Sequence, residues 1–176
     1  MDYQALEEHI KDSVMEEQAK LGFRKEVIRL YYPVGMLNNL FGTACDAEEM
    51  QQALAGFTDF AKERLGEVTI THKKDRLCLL LPEETSIYVH EHKKENEFIH
   101  QLVNLIASHE TDMEQVKKLF EQQPFPSVVE QTTGGEFDTV IHFTQGDDRY
   151  YYCFKDEGFH ITYHRFLPAD YKDLGV

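Results

Sequence analysis

The chain has 176 residues, 41% hydrophobic and 12% aromatic, which suits one folded domain with roughly 70% of the unfolded surface buried and excludes a disordered composition. Lys and Arg number 18 against 32 Asp and Glu, a net charge of −14. A field of that sign repels phosphate and anionic membranes, so neither nucleic acid nor a membrane is an expected partner. A cationic protein, a metal ion or a small ligand stays open, and plain solubility is the preferred reading of the charge.

The opening MDYQALEEHI is acidic and polar, unlike a signal peptide. Residues 3–20 form an amphipathic helix by pattern, with Leu6, Ile10, Val14 and Leu21 on one stripe and Gly22 as the stop. Glu26 to Tyr32 is β-branched and aromatic and reads as a strand. A short helix follows between Pro33 and Gly42. Asp46 and Glu49 then start a longer helix carrying Met50, Leu54, Phe57, Ala61 and Leu65 to its end at Gly66. In VTITHKKDRLCLLL, a turn at Lys74–Asp75 pairs Ile70 with Leu79 and Val68 with Leu81, so the apolar faces agree and a hairpin is expected.

Residues 83–92, after Pro82, are expected to form a short helix. Glu95 to Ser108 forms another, facing Phe98, Leu102 and Leu105 or Ile106 inward. Thr111 and Glu114 make a capping box for a helix to about Gln122. The last third is β. Runs at 128–132, 137–144, 149–156 and 159–166 are separated by GG, QGDD and DEG, an antiparallel meander, and PADYKDLGV adds a final turn. Helices and a hairpin followed by a meander imply an α+β fold, with N-terminal and central helices packed on an antiparallel sheet. No repeat or linker interrupts the chain, so residues 1–176 read as a single domain.

Two-residue turns at Gly146–Asp147 and Glu157–Gly158 align the meander so that Ile141, Phe143, Tyr152, Phe154, Ile161 and Tyr163 share the core face. Phe154 then opposes Ile161, and Tyr152 opposes Tyr163. The other face holds three rows: Asp138–Lys155–His160, Val140–Cys153–Thr162 and His142–Tyr151–His164. His142, Tyr151, Cys153 and His164 are therefore the candidate ligand-binding residues. As a metal site the face is poor. His160 and His164 stand roughly 13 Å apart along one strand, and Tyr151 separates His142 from His164 across ~9.6 Å. As a nucleophile, Cys153 has imidazoles diagonal to it but lacks the helix N-terminus or tight turn that lowers a thiol's pKa. A packed, half-exposed sheet face is the plainer reading of both patterns, and a homodimer through that face is a further one.

Elsewhere, His90, His92 and His100 form HEH…H, whose first two members point apart on a helix. The junction after Tyr32 turns the N–H groups of Val34 to Met36 toward solvent, either as an anion niche or as a plain corner of the fold, and the corner is the expectation. GxSxG, GxGxxG, GxxxxGK, HExxH and EF-hand patterns are absent, so no catalytic residue, metal or cofactor is assigned. Three cysteines without a CxxC point to reduced thiols and a cytoplasmic location.

The stretches RLYYPVGMLNNLFG, YVHEHKKENEF and HRFLPADYKDLG resemble an uncharacterised family of bacterial proteins of this length. The resemblance spans the chain and implies a bacterial protein without an assigned activity. The expectation is a non-enzymatic binding or interaction module, with a metal-binding protein or hydrolase-like enzyme working through His142, Tyr151, Cys153 and His164 as the alternative.

Overall fold

A computed structural model describes residues 1–94, 96–108, 111–133 and 135–174. The fold is α+β: among the described residues, eight helices accompany a three-stranded and a four-stranded antiparallel sheet. They divide between two compact units, Met1–Glu95 and Asn96–Val176.

In the first unit, helix α1 (Tyr3–Leu21) is capped by the Asp2 carboxylate, which accepts from the Ala5 N–H at 3.1 Å. Leu6, Ile10 and Val14 are fully buried as the stripe requires, but Leu21 is 55% exposed. Strand β1 (Ile28–Pro33) leads directly into α2 (Val34–Phe41), which ends at Gly42 in the left-handed region. Helix α3 (Ala47–Ala53) opens with the expected reciprocal capping box of Asp46 and Glu49.

The single helix expected over this stretch is two, α3 and α4 (Ala55–Leu65), divided at Leu54. The Tyr3 hydroxyl donates to the Ala53 carbonyl at 2.7 Å, and the Phe57 N–H bonds the Leu54 carbonyl, so the regular ladder is interrupted there. The apolar stripe survives the break: Met50, Leu54, Phe57, Ala61 and Leu65 are all fully buried.

Strands β2 (Thr69–Lys73) and β3 (Arg76–Leu81) form the expected hairpin, with Ile70 opposite Leu79 and the turn at Lys74–Asp75. Strand β1 pairs with the other edge of β3, giving the order β1-β3-β2. Pro82 then starts α5 (Glu83–His92), as the sequence suggests. One sheet face, carrying Leu77, Leu79 and Leu81 from the central strand, joins the buried residues of the helices in a single core.

In the second unit, α6 (Glu97–Ala107) and α7 (Met113–Glu121) precede the meander β4 (Ser127–Gln131), β5 (Thr139–Phe143), β6 (Tyr151–Asp156) and β7 (Ile161–Phe166), in the order β4-β5-β6-β7. A last helix, α8 (Pro168–Asp173), occupies the expected final turn. The capping box of α7 lies one residue beyond its predicted place, made by Asp112 and Gln115. Thr111 is diverted, because its hydroxyl donates to the Leu105 carbonyl. The core is aromatic: Phe120 stands 4.8 Å from Phe98, 5.2 Å from Phe143 and Tyr152, and 6.1 Å from Phe154.

One register differs from expectation. Strands β5 and β6 align as predicted, with Ile141 opposite Tyr152, but β7 is displaced by two residues. Phe154 faces Tyr163, Tyr152 faces Arg165 and Cys153 faces His164. The connection spans residues 157–160, closed by the Glu157 N–H donating to the His160 carbonyl at 3.0 Å, with Gly158 at φ +83° and Phe159 74% exposed at its tip. The Asp156 carboxylate accepts the Gly158 N–H at 2.8 Å and fixes the wider turn. A shift of two residues preserves the faces, so the core side is the predicted one.

Candidate functional sites on two sheet faces

The register shift rearranges the outer face of the meander. Its rows are Val140–Cys153–His164 and His142–Tyr151–Phe166, and Lys155 faces Thr162. His164 is thus beside Cys153, not beside Tyr151. His142 and Tyr151 do share a row, their rings stacked at 4.2 Å. Tyr151 stacks in turn on Tyr171 of α8 at 4.7 Å. Phe137, Val140 and Cys153 form a buried cluster, against which Tyr151, Phe166 and Tyr171 pack.

Much of this face is therefore covered by the chain itself. Cys153 is fully buried, and burial pushes its thiol up to about 12. A thiol held protonated and shut from solvent is a packing group, not a nucleophile. The candidate imidazoles do not converge. His142 Nε2 lies 3.9 Å from a Glu130 carboxylate oxygen, while His164 stands exposed in the next row, its ring 5.7 Å from Phe137. Among the described residues, no group of three or more His, Cys, Asp or Glu is disposed to hold a metal ion.

The remaining sequence candidates resolve into local contacts. His90 and His92 lie on α5, stacked on Phe23 at 4.0 Å and on Tyr88 at 4.3 Å. At the start of α2 the Val34 N–H donates to the Asp75 carbonyl at 2.8 Å, so that junction is a fold corner tied to the hairpin turn.

The outer face of the three-stranded sheet is different. Alternation places Arg29, Leu80 and Thr69 in one row, Tyr31, Cys78 and Thr71 in the next, and Pro33, Arg76 and Lys73 in the third. Leu80 and Cys78 are half-buried down the middle, Tyr31 is 61% exposed, and the other side chains of these rows are exposed. A shallow cleft of about 650 Å³ lies against this face, lined by Tyr31, Thr71, Cys78, Arg76 and the hairpin turn. Among the described residues, Arg29, Lys73, Lys74 and Arg76 form no ion pair with a carboxylate, as is also true of Arg24, Lys25, Lys62, Lys118 and Lys172, whereas Lys11, Lys20, Arg64, Lys93, Lys117 and Lys155 each form one.

The register of this hairpin is legible in the sequence, and the composition of its outer face follows from that register. The clue is the run Lys73, Lys74 and Arg76 in so acidic a chain.

The fold and these two surfaces define an α+β protein with one sheet face partly covered by its own chain and another that carries exposed cations beside the Asp75 carboxylate of the hairpin turn. By sequence the chain belongs to the family described as "Domain of unknown function, E. rectale Gene description (DUF3877)", whose model matches residues 3–175. This agrees with the resemblance to an uncharacterised bacterial family. No curated protein and no solved structure matches the chain.

Proposed function

We propose that the protein is a non-enzymatic binding module that uses the outer face of its three-stranded sheet. The observation that carries this reading is the Tyr31–Cys78–Thr71 row. It is an apolar and aromatic strip on a sheet whose helices pack on the opposite side, flanked by cations without carboxylate partners. Binding surfaces combine such an apolar centre with a polar rim. The alternative, a metal-binding protein or hydrolase-like enzyme working through His142, Tyr151, Cys153 and His164, receives less support, because Cys153 is buried and the half-buried rings of His142, Tyr151 and Tyr171 are stacked on one another. A cytoplasmic setting is supported by three cysteines that are all free thiols.

A fragment screen read by amide correlation spectra tests the choice of face. The expected hits perturb Tyr31, Thr71, Cys78 and Leu80. Hits gathered on His142, Tyr151 and His164 instead would transfer the function to the meander.

A further inference from the structure

We propose that the outer face of the three-stranded sheet docks an acidic, extended segment of a partner protein, whose carboxylates meet Arg29 at one end and Lys73 and Arg76 at the other. This rests on the reading of that face as the binding surface and adds the chemistry of its occupant. The sequence-wide acidity favours a cationic partner; locally the sign is reversed.

Charge complementarity carries the argument. Acids outnumber bases 32 to 18 in this chain, so an unneutralised cation has many nearby carboxylates to choose from. The cations of this face have none among the described residues; Lys62 on α4 and Lys118 on α7 also have none, while Lys11, Lys20, Arg64 and Lys117 are paired. What sets this face apart is that Arg29, Lys73 and Arg76 share it. Unpaired, exposed cations beside a half-buried apolar strip are matched by carboxylates flanking apolar side chains.

Spacing sets the shape of the occupant. Arg29 lies opposite Leu80, and Arg76 is four residues from Leu80 along the same strand, a span of roughly 13 Å at strand rise. An extended peptide covers that span in four residues. Its acidic ends then reach the cations while apolar side chains rest on Leu80, Cys78 and Tyr31. Nucleic acid fits less well. The face offers one aromatic ring, too few for successive bases to stack on, and the net charge of −14 opposes the approach of a long polyanion.

The test is fluorescence anisotropy of a labelled heptapeptide, Glu-Glu-Val-Leu-Val-Glu-Glu, with the full chain at low salt. Its lysine-for-glutamate version and an oligouridylate serve as competing classes. Wild-type protein binds the acidic peptide and loses affinity as salt rises. The double variant Arg29→Glu, Arg76→Glu keeps the wild-type melting temperature, since both side chains are exposed and unpaired, and binds at least tenfold more weakly. Lys172→Glu, a reversal on α8, leaves binding unchanged.

Several results would overturn the proposal: no binding of the acidic peptide, equal binding by the double variant, tighter binding of the lysine peptide, or tighter binding of oligouridylate. Sedimentation showing wild-type dimers that the double variant dissolves would make the occupant a second copy, and would also overturn it. Fragment hits on this face combined with failure of the acidic peptide would sink the occupant while leaving the face as the binding surface.

Discussion

Glu7 lies buried on α1, and its carboxylate accepts hydrogen bonds from Arg64 Nε at 2.7 Å and Arg64 Nη2 at 2.8 Å, with Lys11 Nζ at 2.5 Å. Burial by itself would raise the carboxyl's pKa, but the bonds from Arg64 and Lys11 prevail and hold it below its ordinary value of 4.5. The arrangement pins α1 to α4. Removing the charge leaves Arg64 without its partner, and because that guanidinium side chain is 34% exposed, water recovers part of the loss. Glu7→Gln is therefore expected to cost about 1–3 kcal/mol, below the figure for a fully buried pair. Since folding depresses the pKa of Glu7, its contribution is complete above the unfolded value near 4.5 and fades as pH falls through the folded value. Urea melts should show the gap between wild type and variant at pH 7 and its shrinkage in acid. A gap that widens in acid would refute the linkage.

Among the elements, most local signals were legible. The reciprocal box at Asp46 and Glu49, the stops at Gly22, Gly42 and Gly66, and the Lys74–Asp75 turn depend on neighbours within a few residues, and all appear where the sequence puts them. The failures arose where a remote or competing partner intervened. Tyr3 divides α3 from α4 from fifty residues away, and no periodicity reports that. Thr111 and Asp112 compete for the start of α7, and the carboxylate wins because the hydroxyl is engaged by Leu105. Asp112→Ala should therefore cost about 1 kcal/mol in thermal stability, while Glu114→Ala, at the place of the predicted box, changes it by less than about 0.5 kcal/mol. The reverse order would restore the Thr111 box. The β6–β7 register was missed for a similar reason. Apolar alternation fixes parity but cannot distinguish a two-residue turn from a four-residue one closed by Asp156 and His160.

At the scale of the whole molecule, the order of helices and strands gave the α+β class, and parity sorted the meander's two faces. What covers each face was not legible, because it depends on contacts distant in sequence: α8 and Phe137 bury Cys153 and half-bury Tyr151 on the meander face, while Arg29, Tyr31, Lys73 and Arg76 stand exposed on the outer face of the three-stranded sheet. The cysteines report on both surfaces at once, since Cys78 lies in the central row of the bare sheet and Cys153 in the sealed cluster. The most direct test is the rate at which iodoacetamide labels each thiol in the native protein at pH 8, read by peptide mass spectrometry. Cys78 should react readily and Cys153 only on unfolding. Labelling of Cys153 as fast as Cys78 would mean that the meander face is open, and the assignment of binding to the three-stranded sheet would fall.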